Sequence, residues 1–254
     1  STAYQAGFAG VQPLYSRIST TVPSTTRENE YGWLGQIPNV REWIGDRQIK
    51  SVETHGYTIK NKPFEATIGV DRDDIEDDNI GIYTPLFTEM GQSTGAKWDQ
   101  LVFELLKAGF STNCYDGQYF FDTDHPVLDE SGTTVSVANT DGGGGTAWYL
   151  LDVSRALKPI ILQKRKDFDF VAKDDPKDDR VFFNKEFVYG ADARGNVGFG
   201  FWQFAWGSKQ TLNGTYYEAA RAALSGMKGD YGRPLGLLAG ARPLLVVPPS
   251  LEGA

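Results

Sequence analysis

The sequence predicts an α+β chain: a polar arm, then one long helix set against a β-rich body. Three observations carry that reading. Apolar side chains recur every three to four residues across 73–107, strict alternation runs through Phe64, Ala66, Ile68 and Val70, and residues 19–26 are polar, β-branched and punctuated by Pro23. With 15 Phe, 12 Tyr and 6 Trp among 254 residues, the chain can bury a large core without disulfides.

In chain order, residues 1–40 read as an extended arm, because no helical apolar period organises them. Such a segment must lie on something else to be held. Residues 41–70 read as a projecting hairpin, with 48–53 and 57–61 flanking the turn signal His55-Gly56 and a half-buried strand at 64–70. The helix at 73–107 takes Ile75, Ile82, Leu86, Met90, Leu101 and Leu105 as its packing residues. Asp73, Asp74, Glu76, Asp77 and Asp78 suit the positive end of the helix dipole, Lys107 falls in the last turn, and Gly109 offers a left-handed cap. Pro85, Gly91 and Gly95 predict a kink or break; unbroken, the helix is roughly 50 Å long at ~1.5 Å per residue. Further on, glycines 142–145 read as a flexible loop and 148–157 as a short helix stopped by Pro159. Strands are predicted at 159–164, 180–189 and 196–206. The capping box Thr215…Glu218 starts a helix reaching about Met227, and a last strand is predicted at 244–247.

Composition removes several classes of function. The net charge is −8, from 25 Lys+Arg and 33 Asp+Glu, which opposes a tight sequence-independent grip on nucleic acid. One cysteine, Cys114, allows no internal disulfide and no thiolate cage, and the two histidines, His55 and His125, allow no multi-His metal site. No apolar run is long enough for a bilayer span. The N-terminus has neither a signal-peptide pattern nor an initiator Met, so the chain is expected to be processed, trimmed or incomplete.

Candidate chemistry is sparse. The acidic run 71–78 places Ile75 where a calcium loop needs a ligand, and acids at a helix start account for it. Asp122, Asp124 and His125 are the residues on which a metal-dependent hydrolase would centre, although Pro126 holds His125 near extended geometry, as in a capped turn with a satisfied imidazole. Cys114 becomes a nucleophile only if the fold brings a base such as His125 to it. The cluster Lys164-Arg165-Lys166 is diluted by Asp167 and Asp169 and reads as a solvated face. Trp33, Trp43 or Trp148 would serve a carbohydrate-binding β module. No nucleophile elbow, phosphate loop or dinucleotide fingerprint is present. The expectation is therefore no catalytic set, no metal and no cofactor, in a protein whose work is to touch copies of itself.

Ordered motifs sharpen this. Tyr31-Gly32-Trp33-Leu34-Gly35, Arg41-Glu42-Trp43-Ile44-Gly45, His55-Gly56-Tyr57, Lys62-Pro63-Phe64-Glu65, the run Arg72 to Asn79, Leu105 to Phe110, Cys114-Tyr115-Asp116-Gly117, Phe120-Phe121-Asp122, His125-Pro126, Phe201-Trp202-Gln203 and Val246-Val247-Pro248 follow one another through most of the chain. Together they resemble the Mu-like prophage major head subunit family. The resemblance implies a Hong Kong 97-type capsid fold, with an N-terminal arm at 1–40, an E-loop at 41–70, a peripheral (P) domain with its spine helix at 71–125, and mostly axial (A) domain at 126–254. It implies a head protein of the virion, assembled in the bacterial host cytoplasm from hexamers and pentamers of itself. Scaffold, portal and decoration proteins are the implied partners; DNA is enclosed without sequence-specific binding, and no membrane is involved. Arg41, Glu42, Trp43, Asp46, Arg47 and Lys60 become candidate intersubunit contacts. Members of the family continue past the strand at 244–247, so a C-terminal part is expected to lie outside this chain.

Overall fold

The computed structural model describes residues 2–34, 56–77 and 80–253, with backbone only at 75, 76 and 80. The projecting hairpin at 41–70 is thus described only from Gly56 onward, and its predicted first strand at 48–53 lies outside the described residues, as does the turn residue His55.

The arm is not simply extended. Helix α1 (Thr2–Gly10) and the single turn α2 (Tyr15–Ile18) lead into β1 (Ser19–Pro23), followed by β2 (Glu28–Glu30). Next come β3 (Thr58–Lys60) and β4 (Lys62–Asp71), then α3 (Arg72–Glu76) and the long α4 (Ile80–Lys107). Two short hairpin strands, β5 (His125–Leu128) and β6 (Thr134–Val137), precede β7 (Thr140–Gly143) and β8 (Trp148–Leu151). The longest strands, β9 (Ile160–Lys173) and β10 (Glu186–Phe199), are joined through α5 (Asp179–Asn184). The chain continues through β11 (Ala205–Lys209), α6 (Gly214–Ser225), the paired β12 (Lys228–Gly229) and β13 (Arg233–Pro234), and β14 (Leu244–Val246).

Two four-stranded sheets organise these elements. The first has the order β1-β9-β10-β4, with β1 parallel to β9 (Ser19 opposite Ile160) and the other pairs antiparallel. The polar, β-branched residues of the arm therefore pay their ordering entropy against a buried strand of the same chain. The second sheet has the order β14-β8-β11-β7. Its inner strand β8, Trp148-Tyr149-Leu150-Leu151, is buried at every position, which leaves it no alternation and explains why 148–157 reads as a helix in the sequence. Gly142 and Gly143 are not a free loop. They end β7, and at φ 100° a side chain on Gly143 would meet the Lys209 backbone at 2.4 Å.

Helix α4 packs across the first sheet with Phe87, Met90, Trp98, Val102 and Leu106 buried. Of the predicted packing residues Met90 is buried and Leu101 and Leu105 are half-buried, whereas Ile82 is 70% and Leu86 43% exposed; the side chain of Ile75 is not among those described. Pro85 lies within α4 without ending it, and α3 ends before α4 begins, at Glu76 with Asp77 as its C-cap. Asp71 caps α3 by accepting from the Asp73 N–H at 2.8 Å, so the acidic run is a helix start as expected.

Gly91 and Gly95 do not break α4; they seat α1. A β-carbon on Gly91 would lie 2.2 Å from the Tyr4 carbonyl oxygen, and one on Gly7 would lie 2.0 Å from that of Thr88. The Tyr4 hydroxyl pairs with Thr94 Oγ1 at 2.9 Å, and the Asp99 carboxylate accepts from the Leu14 and Tyr15 N–H groups at the start of α2. Gly109 takes no left-handed cap; it sits in a 3-10 turn (Ala108–Phe110) against the Phe121 ring.

Three further expectations change. Residues 180–184 are helical, because β9 and β10 run on into α5 at the tip of their hairpin. Residues 196–206 divide between β10, a 3-10 turn (Trp202–Phe204) and β11. Helix α6 is capped by Asn213, whose side chain accepts from the Tyr216 N–H, rather than by Thr215.

Candidate functional site

The loop from Cys114 to His125, between α4 and β5, builds the most concentrated polar group in the core. The His125 ring is fully buried and stacked on Trp202, with centroids 3.9 Å apart and planes 9° from parallel. Its Nδ1 lies 2.7 Å from Asp116 Oδ2, and its Nε2 lies 3.3 Å from Asn139 Oδ1. The other Asp116 oxygen accepts from the Cys114 thiol at 3.0 Å and from the Gln118 N–H at 3.1 Å. Asn139 cannot be turned over: its Nδ2 donates to the carbonyls of Phe120 (2.7 Å) and Trp202 (3.3 Å), while its Oδ1 accepts from the Asp122 N–H at 2.9 Å.

Electrostatics follow from this pairing. Burial opposes ionisation of Asp116, but hydrogen bonds from His125 and Cys114 and the nearby imidazole charge outweigh it and hold the carboxyl below its ordinary value. Burial, reinforced by the Asp116 charge, pushes the Cys114 thiol up. Cys114 therefore stays a thiol and donates, so the fold that brings His125 near does not create a nucleophile.

Of the predicted hydrolase residues, Asp122 and Asp124 meet side chain to side chain, but the ring nitrogens of His125 face elsewhere. Both ring nitrogens of His125 are taken by Asp116 and Asn139. Asp122 accepts from the Tyr119 and Thr123 N–H groups, and Asp124 is exposed. Trp148, fully buried with its indole N–H donating to the Gln210 carbonyl, offers no sugar platform. Trp33 is half-buried against Tyr31 and Phe201, and Trp43 lies outside the described residues. Two of the three residues of the basic cluster pair within the chain, Lys164 with Asp167 at 2.8 Å and Lys166 with Asp192 at 2.7 Å, and Arg165 is exposed.

The candidate intersubunit residues divide. Lys60 is exposed on β3, its carbonyl accepting from Asn196 Nδ2; Arg41, Glu42, Trp43, Asp46 and Arg47 lie outside the described residues. Sequence reasoning missed Asn139 and Gln163. Buried Gln163 accepts from the Tyr31 hydroxyl and donates to the Ile59 carbonyl and Asn61 Oδ1, tying the arm and β3 to β9. The one signal for Asn139 was that it continues the alternation Val135, Val137.

The comparisons with known proteins speak to the whole chain. The family described as Mu-like prophage major head subunit gpT matches residues 1–254. This chain belongs to the Mu-like prophage major head subunit family. It is 45% identical over 258 residues to the major capsid protein of Escherichia phage Mu, and 47% identical over 259 residues to the Mu-like prophage FluMu major head subunit of Haemophilus influenzae. Each match covers 99% of this chain and 83% of the relative. Among solved structures it is similar to a chain of the procapsid of bacteriophage JBD30, at 50% identity and a TM-score of 0.84 over 99% of this chain and 86% of that one. As a member of this head-subunit family it is a major capsid protein of the tailed-phage virion, and its fold is the Hong Kong 97 type. No helix among the described residues is long and apolar enough to cross a membrane.

Proposed function

We propose that this chain closes an icosahedral head by self-association of many copies around phage DNA, and that its role is structural rather than catalytic. The observation that carries the reading is family membership over the whole described length. The arm (1–40) and E-loop (41–70), with Lys60 and the residues at 41–47, reach neighbouring subunits. The spine helix α4 within 71–125 forms the P domain together with the sheet β1-β9-β10-β4, which takes β9 and β10 out of the 126–254 segment. The sheet β14-β8-β11-β7 with α6 forms the A domain. Assembly takes place in the bacterial host cytoplasm, with scaffold, portal and decoration proteins as partners.

Two observations support association as the work of this surface. Ile82, Phe182 and Phe183 are the most exposed large apolar side chains among the described residues, at 70%, 72% and 74%. Their elements are linked through α3: the Arg72 N–H donates to the Lys185 carbonyl at the end of α5, Lys185 pairs with Asp73 at 3.1 Å, and the Tyr83 hydroxyl of α4 donates to Asp74 at 2.8 Å. A second copy covering these side chains removes apolar surface from water. The net charge of −8 lets the wall enclose DNA without adhering to it. Sedimentation velocity of the full-length gene product tests the reading: large discrete assemblies are expected, and a monomer under every assembly condition would overturn it.

A further inference from the structure

We infer that Cys114, Asp116 and His125 form a structural binding site for one soft divalent cation, with zinc the best match. The three residues offer a sulfur, a carboxylate oxygen and a ring nitrogen within 4.8 Å of one another, and among the described residues no other group of three or more such ligands gathers. A donor set of S, N and O suits Zn²⁺ or Co²⁺; Ca²⁺ and Mg²⁺ prefer oxygen ligands throughout.

A second observation, independent of that clustering, points the same way. The orientation of Asn139 is fixed by its two donations to the Phe120 and Trp202 carbonyls, so its Oδ1 requires a hydrogen on His125 Nε2. When the hydrogen between Nδ1 and Asp116 leaves, the lone pair of Nδ1 faces Asp116 Oδ2 at 2.7 Å, with Cys114 Sγ within 4.8 Å. An outer partner that fixes the tautomer and turns the other nitrogen inward is how proteins prepare a metal-binding histidine. Trp202, stacked on the ring, holds its plane.

Charge balances in both states. Without metal, one hydrogen lies between Cys114 and Asp116, one between His125 Nδ1 and Asp116 Oδ2, and one between His125 Nε2 and Asn139; whichever of His125 and Asp116 carries the shared hydrogen, the cluster is neutral. With metal, it holds a thiolate, a carboxylate, a neutral imidazole and a divalent cation, and is again neutral. Two protons leave, one from Cys114 Sγ and the one shared by His125 Nδ1 and Asp116 Oδ2, while the hydrogen on Nε2 stays on the ring and keeps its bond to Asn139 Oδ1. Exchange of two protons for one dication thus buries no net charge, which a core site at this depth demands. A water or the second Asp116 oxygen completes four ligands. The metal would pin the Cys114–His125 loop to the start of β5 and so brace the junction between spine helix and second sheet.

The test uses this chain, refolded with and without Zn²⁺ or Co²⁺, and also titrated in the folded state. Expected are one metal per chain, two protons released per metal, and a thiolate-to-cobalt charge-transfer band that Cys114→Ser abolishes while weakening zinc binding about tenfold or more. Near-UV circular dichroism shows whether that variant keeps its fold; if it does not, the proton count and the cobalt band of the wild-type chain decide alone. No metal bound by the folded wild-type chain, or metal bound without the charge-transfer band or equally by a folded Cys114→Ser chain, overturns the inference and leaves the cluster a closed polar network. The outcome is independent of whether the chain assembles into shells.

Discussion

Asn139 is the residue on which the core's polar group turns. It satisfies two carbonyls, one N–H and the buried imidazole at once, and truncation to alanine strands all four. Asn139→Ala is expected to cost about 2–4 kcal/mol in urea unfolding, because each buried unsatisfied group costs roughly 1–3 kcal/mol. Asp152 plays a similar part where β8 ends. Buried, it accepts from the Ser154 N–H and hydroxyl and from the Leu238 N–H at 2.9 Å, anchoring the chain that follows α6. Burial opposes its ionisation, but these hydrogen bonds, with help from Arg155, outweigh burial and lower its folded value. A lowered carboxyl stabilises the fold above its unfolded value and loses that contribution as pH falls through the folded one. Wild type should therefore exceed Asp152→Asn in stability at neutral pH, and the gap should close only below pH 3.8, as thermal melts across pH would show. At this scale His125 was legible as a satisfied histidine, because the proline after it fixes its backbone. Its partners were not, because Asp116 lies nine residues and Asn139 fourteen residues from it in the chain, and only tertiary folding brings them together.

Among the elements, the contact of α1 with α4 combines close backbone approach at Gly7, Gly91 and Gly95 with the Tyr4 side chain, which is buried with Met90 and bonded to Thr94. Gly91→Ala places a methyl group 2.2 Å from the Tyr4 carbonyl and is expected to cost about 1–3 kcal/mol, with faster proteolysis before Tyr15. Gly81→Ala is the control: nothing lies within 4 Å of the added carbon, and the helix should gain up to about 1 kcal/mol. This explains what could be read from the sequence and what could not. The alternation of β4 and the period of α4 were plain, since each has one buried face. Helix α1 was hidden because its contacts rest on Gly7, Gly91 and Gly95, which a search for apolar periodicity reads as breakers. The exposed Ile82 and Leu86 fit the helical period as well as the buried Met90 does. Periodicity cannot tell a face that meets the chain's own core from one left for a neighbour.

At the scale of the whole molecule, the surface separates folding from assembly. Phe182 and Phe183 touch each other, with ring centroids 5.0 Å apart, and stand clear of the core. The double change Phe182→Ser, Phe183→Ser should therefore leave the unfolding free energy within about 0.5 kcal/mol of wild type. The same change should cut the yield of closed particles in a sedimentation assay, because weak contacts summed over many copies decide closure. Wild-type particle yield from a fully folded double variant would remove these side chains from the interface. The family was legible because its motifs run in order through the chain, including stretches such as residues 41–45 that lie outside the described structure. The assembly itself is not written in any one motif. The most direct measurement is cryo-electron microscopy of the full-length gene product after expression in bacteria. Closed icosahedral shells are expected, with α4 lying in the wall and the sheet β14-β8-β11-β7 turned toward the five- and six-fold axes. A folded, monodisperse monomer under all assembly conditions, or particles whose walls do not accommodate this fold, would contradict the account.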